Sequence, residues 1–266
     1  MSISSTVVDR AEIQFHEAAT ALRSFVGCFW VVTADRGATI RMVPDGSTSI
    51  SIQLQEGTAS GWVLRGPLVR PDDRRFTSPA IMVGVRLRPG VAFIVSGIPS
   101  YAIVGCRIGL SDRPGFHELV SGRPTLDTPT QCVDVLQRFL TERLENASVH
   151  GVVAAAIREI EREHGCLRVA DNAARCGVSS RHLNRLMRVW VGYGPKRFAN
   201  IIRFQESLEQ MERAPMQSGA ALESDTGYFD QAHLTLDSTR FAGATPGHLT
   251  SRCVTDFSKT RCDNLP

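Results

Sequence analysis

Hydrophobic positions recur at two different periods along this chain. In the first half, residues 28–32, 39–43, 49–54, 62–64 and 81–87 are short alternating or apolar runs separated by Gly, Pro and Asp punctuation such as Pro44-Asp45-Gly46. That is the pattern of strands joined by tight turns, and many short strands of this kind predict a sandwich or small barrel. Val91-Ala92-Phe93-Ile94-Val95 and Ile103-Val104 extend the apolar core, while Arg113-Pro114-Gly115 and Gly122-Arg123-Pro124 are loops. Residues 10–26 place Ile13, Phe15, Ala18, Ala19, Leu22 and Phe25 around a short polar helix.

From Val133 onward the period changes to 3.6. Val133, Leu136, Phe139, Leu140 and Leu144 predict one helix, and residues 149–163 a second, stopped by Gly165. Pairing of such a stripe across a two-fold axis and packing within its own domain both fit; the intramolecular reading is favoured. Next, Val169, Ala170, Ala173 and Ala174 mark a short helix with small residues, and Gly177 supplies a left-handed corner. Ser179 caps the following helix, and Val178 staples to Leu183. On that helix Leu183, Leu186, Met187 and Trp190 share one side, while Arg181, Asn184, Arg185 and Arg188 recur at i, i+3, i+4 and i+7 on another. Short helix, tight corner and capped second helix make a helix-turn-helix. Such a second helix lies in the major groove, where Arg forks onto guanine and Asn pairs with adenine. The plainer alternative is a solvated cationic face on an ordinary bundle helix.

The arrangement then repeats. Gly194-Pro195 opens a long helix through Phe198, Ile201, Ile202, Phe204, Leu208 and Met211 that ends near Arg213-Ala214-Pro215. Ala220-Ala221-Leu222 and Gly227-Tyr228-Phe229-Asp230 follow, with Asp230 as a cap and Phe229 stapling to Leu234, about fifty residues after the first unit. A linking helix of ~18 residues, hence ~27 Å, would let the two units enter successive major-groove segments.

Composition narrows the function classes. At 266 residues, 42% hydrophobic and 21% charged, the chain has room for two domains with cores, and disorder does not dominate. A net charge of +3 proves no polyanion partner, but its distribution is uneven. Between Arg168 and Arg203 eight basic residues face one acid, Asp171; from Phe204 to Arg240, Arg213 and Arg240 face seven acids. The first unit should therefore hold DNA and the second contribute little. The seven cysteines are scattered and include no Cys-x-x-Cys pair, which fits a reduced cytoplasm. The sequence has neither a leader-like N-terminus nor an apolar run of ~20 residues. No phosphate-cradling loop, metal-ligand cluster or Ser elbow with a credible base is evident, His16 and His117 lie far apart, and no cofactor, metal or enzymatic activity is expected. Cys28 and Cys106 as alkyl acceptors are weighed against buried structural thiols, and the latter are favoured.

Residues from about 150 to 250 resemble the AraC/XylS-type DNA-binding domain. The likeness is carried by Ala173, Gly177-Val178-Ser179, Arg181-His182-Leu183, Arg185, Gly194-Pro195-Lys196-Arg197-Phe198, Arg203-Phe204, Gly227-Tyr228, Asp230-Gln231-Ala232-His233-Leu234, Phe241-Ala242-Gly243 and Thr245-Pro246. The first half, from Phe29-Trp30 through Arg41 to Gly46, Leu64 to Pro67 and Gly84 to Gly90, is similar to a cupin-like sensory half found in some of these regulators. The resemblance implies an α+β chain. Residues 1–146 would form a mainly β, cupin-like barrel or sandwich with flanking helices, and residues 147–266 an all-α domain of two helix-turn-helix units joined by a long helix. It departs from the pattern at Leu236 and Thr239, where basic residues are usual, at Ser238 in place of an aromatic, at Glu223 in place of a small residue, and at Asn172 in place of an aliphatic. Each change at the second unit weakens it.

The expected function is a cytoplasmic, sequence-specific transcription regulator responsive to an effector. Its expected DNA contacts are Ser180, Arg181, Asn184, Arg185, Arg188, Lys196 and Arg197 in the first unit and Gln231, Ala232 and Thr235 in the second. Trp30, Arg41, Trp62 and Arg86 are candidate effector-wall residues. Double-stranded DNA is the expected partner, with RNA polymerase, a small-molecule effector and a second copy of the chain left open, and no membrane. The competing class is a protein-interaction module, an anti-activator with a degenerate DNA-binding domain.

Overall fold

The computed structural model describes residues 3–8, 10–55, 58–116, 119, 127–213, 231–246 and 249. Its first half is antiparallel β-structure, with strands β1 Ile3–Val8, β2 Ala11–His16, β3 Val26–Ala34, β4 Thr39–Met42, β5 Thr48–Gln55, β6 Thr58–Ala59, β7 Val63–Arg65, β8 Asp72–Arg75, β9 Ala80–Leu87 and β10 Arg107–Gly109. One sheet runs β1-β2-β3-β9-β5-β7-β10 with β6 paired to β5, and β4 pairs with β8 in a second, two-stranded sheet.

Strand β3 is buried along nearly its whole length because both of its faces are covered. Phe29 and Val31 join Ile50, Ile52, Val83 and Val85 in a core closed by helices α1 Val91–Ser96 and α2 Pro129–Leu144. On the opposite face Cys28, Trp30 and Val32 join Ile13, Phe15, Ile40 and Phe76 beneath the small sheet. Helix α2 begins at a reciprocal cap: Thr128 Oγ1 accepts from Gln131 N at 3.3 Å, and Gln131 Oε1 accepts from Thr128 N at 3.1 Å.

The helix expected over residues 10–26 is not formed. Those residues make β2, a turn of 3-10 helix at Thr20–Leu22 and the start of β3. Ala11, Ile13 and Phe15 are buried while Glu12 is exposed and Gln14 and His16 are half-buried, a period of two that pairing with β3 enforces. Ala18 and Leu22 are buried as expected, but they follow a break in the strand rather than a continuing helix.

The second half consists of α3 Gly151–Arg162, α4 Val169–Arg175, α5 Ser180–Val191, α6 Pro195–Arg213 and α7 Gln231–Ala242. They enclose their own core, centred on Val153, Ile160, Leu183, Met187, Phe198, Ile201, Phe204 and Phe241. The polar Asn172 is buried here; its amide donates to Ala156 O at 3.4 Å and its carbonyl accepts from the Cys176 thiol at 3.5 Å, which satisfies it against α3. The expected elements at 220–222 and 227–230, with Glu223, lie outside the described residues. Among the described residues no helix is long and apolar enough to cross a membrane.

Gly84 on β9 is the register partner of Trp30, and a Cβ at that position would lie 2.3 Å from the indole Cζ2. Gly84→Ala is therefore expected to cost about 1–3 kcal/mol by overpacking. A lower urea midpoint checks this; an unchanged midpoint would mean that the indole can move aside.

Candidate nucleic-acid interface

Helix α5 is fixed at both ends. At its start Ser179 Oγ accepts from His182 N at 3.2 Å, and the corner before it turns through Gly177 at φ 68°, a left-handed conformation that favours glycine. Gly177 N donates to Ala174 O and Val178 N to Ala173 O, each at 3.0 Å, so α4 ends and α5 begins within four residues. At the far end Gly192 N donates to both Met187 O and Arg188 O. Leu183, Met187 and Val191 are buried in the helical core. The opposite face, with Ser180, Arg181, Asn184, Arg185 and Arg188, is exposed.

Arg181, Asn184, Arg185 and Arg188 line one open cleft together with Ser179, His182, Val189 and Tyr101. Arg185 Nη2 lies 3.4 Å from His182 Nδ1. Lys196 and Arg197, at the start of α6, are exposed, as is Arg168. Two of the eight basic residues are instead engaged with carboxylates. Arg175 Nη1 grips Glu159 and Glu163 at 2.8 and 2.7 Å, and its hydrogen bond holds the Glu163 carboxyl below the usual range. Arg203 Nη2 meets Asp237 at 3.3 Å with both side chains nearly buried.

The candidate effector residues do not all converge. Trp30 and Arg86 line a narrow cleft with Met42, Val43, Thr48 and Leu68, and Gln205 from α6 closes it from the helical half. Within it Arg86 Nη2 meets Asp45 at 2.9 Å, and Gln205 Nε2 donates to Pro44 O at 2.7 Å. A Cβ on Gly46 would lie 2.6 Å from Phe198 Cε2, so the Pro44-Asp45-Gly46 turn presses directly on the helical core. Arg41 lies elsewhere: it makes a two-pronged bond to Asp73, both arms 2.7 Å, and donates to Ala242 O at 3.3 Å. Trp62 is buried in the sheet–helix core with its indole N–H on Leu119 O at 3.1 Å. A buried indole needs an acceptor, and this one has found it away from the cleft.

Residues 172–252 match the family model of a helix-turn-helix domain. The chain carries an AraC/XylS-type DNA-binding domain. It is accordingly a DNA-binding protein of transcription regulation. Residues 14–108 match a domain of unknown function, DUF6597. No curated protein matches the chain. Among solved structures the chain is similar to ToxT from Vibrio cholerae, at 10% identity over 82% of this chain and 95% of that one, with a TM-score of 0.43. Two further ToxT structures, one bound to (E)-4-(8-methylnaphthalen-1-yl)but-3-enoic acid and one to an unsaturated fatty acid, give 11% and 13% identity. They cover 81% and 80% of this chain and 95% and 91% of theirs, with TM-scores of 0.44 and 0.41.

In the second unit α7 is the one helix that falls among the described residues, and its surface differs from that of α5. On α7 Ala232 is exposed and Thr235 half-buried; the side chain of Gln231 lies outside the described residues. Leu236, where a basic residue is usual, is 66% exposed. Ser238 is fully buried, and its hydroxyl has no hydrogen-bond partner among the described residues. Thr239 Oγ1 turns back to Thr235 O at 2.8 Å. Sequence reasoning missed Tyr101, which is 50% exposed beside the arginine row although it belongs to the β-half. It also missed its neighbour Ser100, whose Oγ donates to Trp190 O at 2.7 Å. Neither residue carries a local signal, because the contact spans ninety positions of the chain.

Two outcomes follow from this geometry. Lys196→Gln should reduce the slope of log affinity against log salt by about one, as expected for a phosphate contact, and Arg175→Gln should leave it unchanged. Comparison of the two slopes in one titration series decides. Among the cysteines, Cys28 and Cys132 are buried and burial pushes the Cys132 thiol up to about 11, whereas Cys106 and Cys166 are exposed. Native-state alkylation followed by mass mapping should therefore label Cys106 and Cys166 before Cys28 and Cys132.

Proposed function

We propose that this chain is an effector-responsive, sequence-specific transcription regulator acting in the cytoplasm, with its first helix-turn-helix as the main DNA contact. The observation that carries this reading is the exposed row Arg181, Asn184, Arg185 and Arg188 on a helix fixed at both ends. Arg and Asn at that place read guanine and adenine edges, and Ser180, Lys196 and Arg197 add backbone contacts. The second unit, with Gln231, Ala232 and Thr235, serves mainly as support, since among the described residues its Asp237 is turned inward onto Arg203. The working division is residues 1–146 as sensory domain and 147–266 as DNA-binding domain.

The cleft walled by Trp30 and Arg86 is the proposed effector site. An occupant would touch Met42, Val43 and Asp45 together with Gln205 of α6, so it would bear on the turn that presses on Phe198. A ligand that binds one arrangement of this turn better than another shifts the DNA-binding half by that difference in affinity. A second copy of the chain and RNA polymerase are further partners this reading accommodates, and it assigns the chain no catalytic step.

One observation favours a second reading, a protein-interaction module that restrains a related regulator: the exposed Leu236 on an acidic second unit. The two readings separate in gel-shift titrations against genomic fragments selected by the protein itself. Arg185→Ala should lose about 1–3 kcal/mol of binding, roughly fivefold to 150-fold, while Gln231→Ala stays within about twofold. Equal losses would refute the leading role of the first unit, and a salt slope near zero in the unaltered protein would mark the interaction module.

A further inference from the structure

The edge of the β-half concentrates more positive charge than its carboxylates balance. Arg65 on β7 and Arg107 on β10 are direct register partners, two like charges side by side on an antiparallel ladder. Both turn to the same carboxylate oxygen, Asp72 Oδ2 on β8; Arg107 Nη2 reaches it at 3.0 Å and Arg65 Nη1 makes the second contact. Two positions along β8, and so on the same face as Asp72, stands Arg74. Its Nη2 donates to Gln53 Oε1, its guanidinium lies 5.7 Å over the Phe76 ring, and its Nε is buried with no hydrogen-bond partner among the described residues. The other carboxylate of the strand, Asp73, is held by both arms of Arg41.

Two guanidiniums thus share one carboxylate while the third, Arg74, meets only the neutral amide of Gln53, an excess of two positive charges over the three. Arg65 is only 12% exposed, so water does little to relieve the repulsion. Burial first, and then the Arg107 charge, lowers the proton affinity of Arg65, and the same two causes act on Arg74. A desolvated cation that lacks an acceptor is costly, and a planar guanidinium fork is complementary to carboxylate and phosphate oxygens.

We propose that Arg65, Arg74 and Arg107 form a binding site for a doubly charged oxyanion, a phosphate monoester or a dicarboxylate, with Asp72 as the group it competes against. The residual charge of the cluster matches a dianion, and the buried Nε of Arg74 supplies a donor awaiting an acceptor. Arg65 also lines the cleft of Trp30 and Arg86, so occupancy here alters the charge of that cleft's wall. The site is independent of the DNA-binding reading, because it lies wholly on β-strands of the first half.

Thermal melts of the full chain test it, at constant ionic strength set by chloride and without DNA. Added inorganic phosphate or malonate should raise the melting temperature saturably beyond any effect of chloride. Arg107→Gln and Arg74→Gln should each weaken the apparent affinity roughly tenfold, and Asp72→Asn should strengthen it by a similar factor. If Asp72→Asn fails to fold, the half-exposed Arg107 still decides the matter. A response to only one of the two anions supports the site and narrows its ligand. The proposal is overturned if neither anion acts beyond chloride, or if wild type and Arg107→Gln respond alike.

Discussion

The carbonyl ends of α5 and α7 are completed by groups from the other half of the chain. A helix leaves its last four carbonyls without internal partners. Here Ser100 Oγ donates to Trp190 O and Arg41 Nη1 to Ala242 O, while between them Gln205 of α6 donates to Pro44 O. Three hydrogen bonds, at Ser100, Arg41 and Pro44, therefore tie the β-half to three helices of the DNA-binding half. The spacing of α5 and α7 depends on how the sheet holds its own turns as well as on the link through α6. The apolar seam beside these bonds, Phe93 edge-on to Trp190 at 4.9 Å and Phe198 against Gly46, makes the junction a continuation of both cores.

Charge is divided along the same lines. Acids in the helical half act mainly on their own neighbours: Glu159 and Glu163 immobilise Arg175, and Asp237 immobilises Arg203. This withdraws two cations from the row that the sequence places beside DNA and leaves the remainder on one surface, around α5 and the start of α6. Near-burial makes the Arg203–Asp237 pair a device for packing α6 on α7.

Much of this was legible in the residues themselves. The Ser179 cap, the Gly177 corner and the apolar side of Leu183, Leu186, Met187 and Trp190 set against the arginine row are local signals, and local geometry realises them with Leu183 and Met187 buried and Leu186 and Trp190 half-buried. The strands from β3 onward were equally readable, since their turns carry Gly, Pro and Asp. Residues 10–26 were not, because Ile13 and Phe15 satisfy a helical count as well as an alternating one and only pairing with β3 decides between them. The fate of long polar side chains was not readable either. Arg41 looked like part of a ligand wall and is a helix cap, Trp62 fills a core, and Tyr101 stands beside the arginines of α5; each outcome depends on a partner distant in sequence.

The three tryptophans occupy three different environments. Trp30 borders the interdomain cleft, Trp62 is sealed between sheet and helix, and Trp190 sits at the seam beside Phe93 and His150. The chain thus carries its own optical reporters: the emission of one indole follows cleft occupancy, that of another follows separation of the two halves, and the third stays dark to both until the β-half melts.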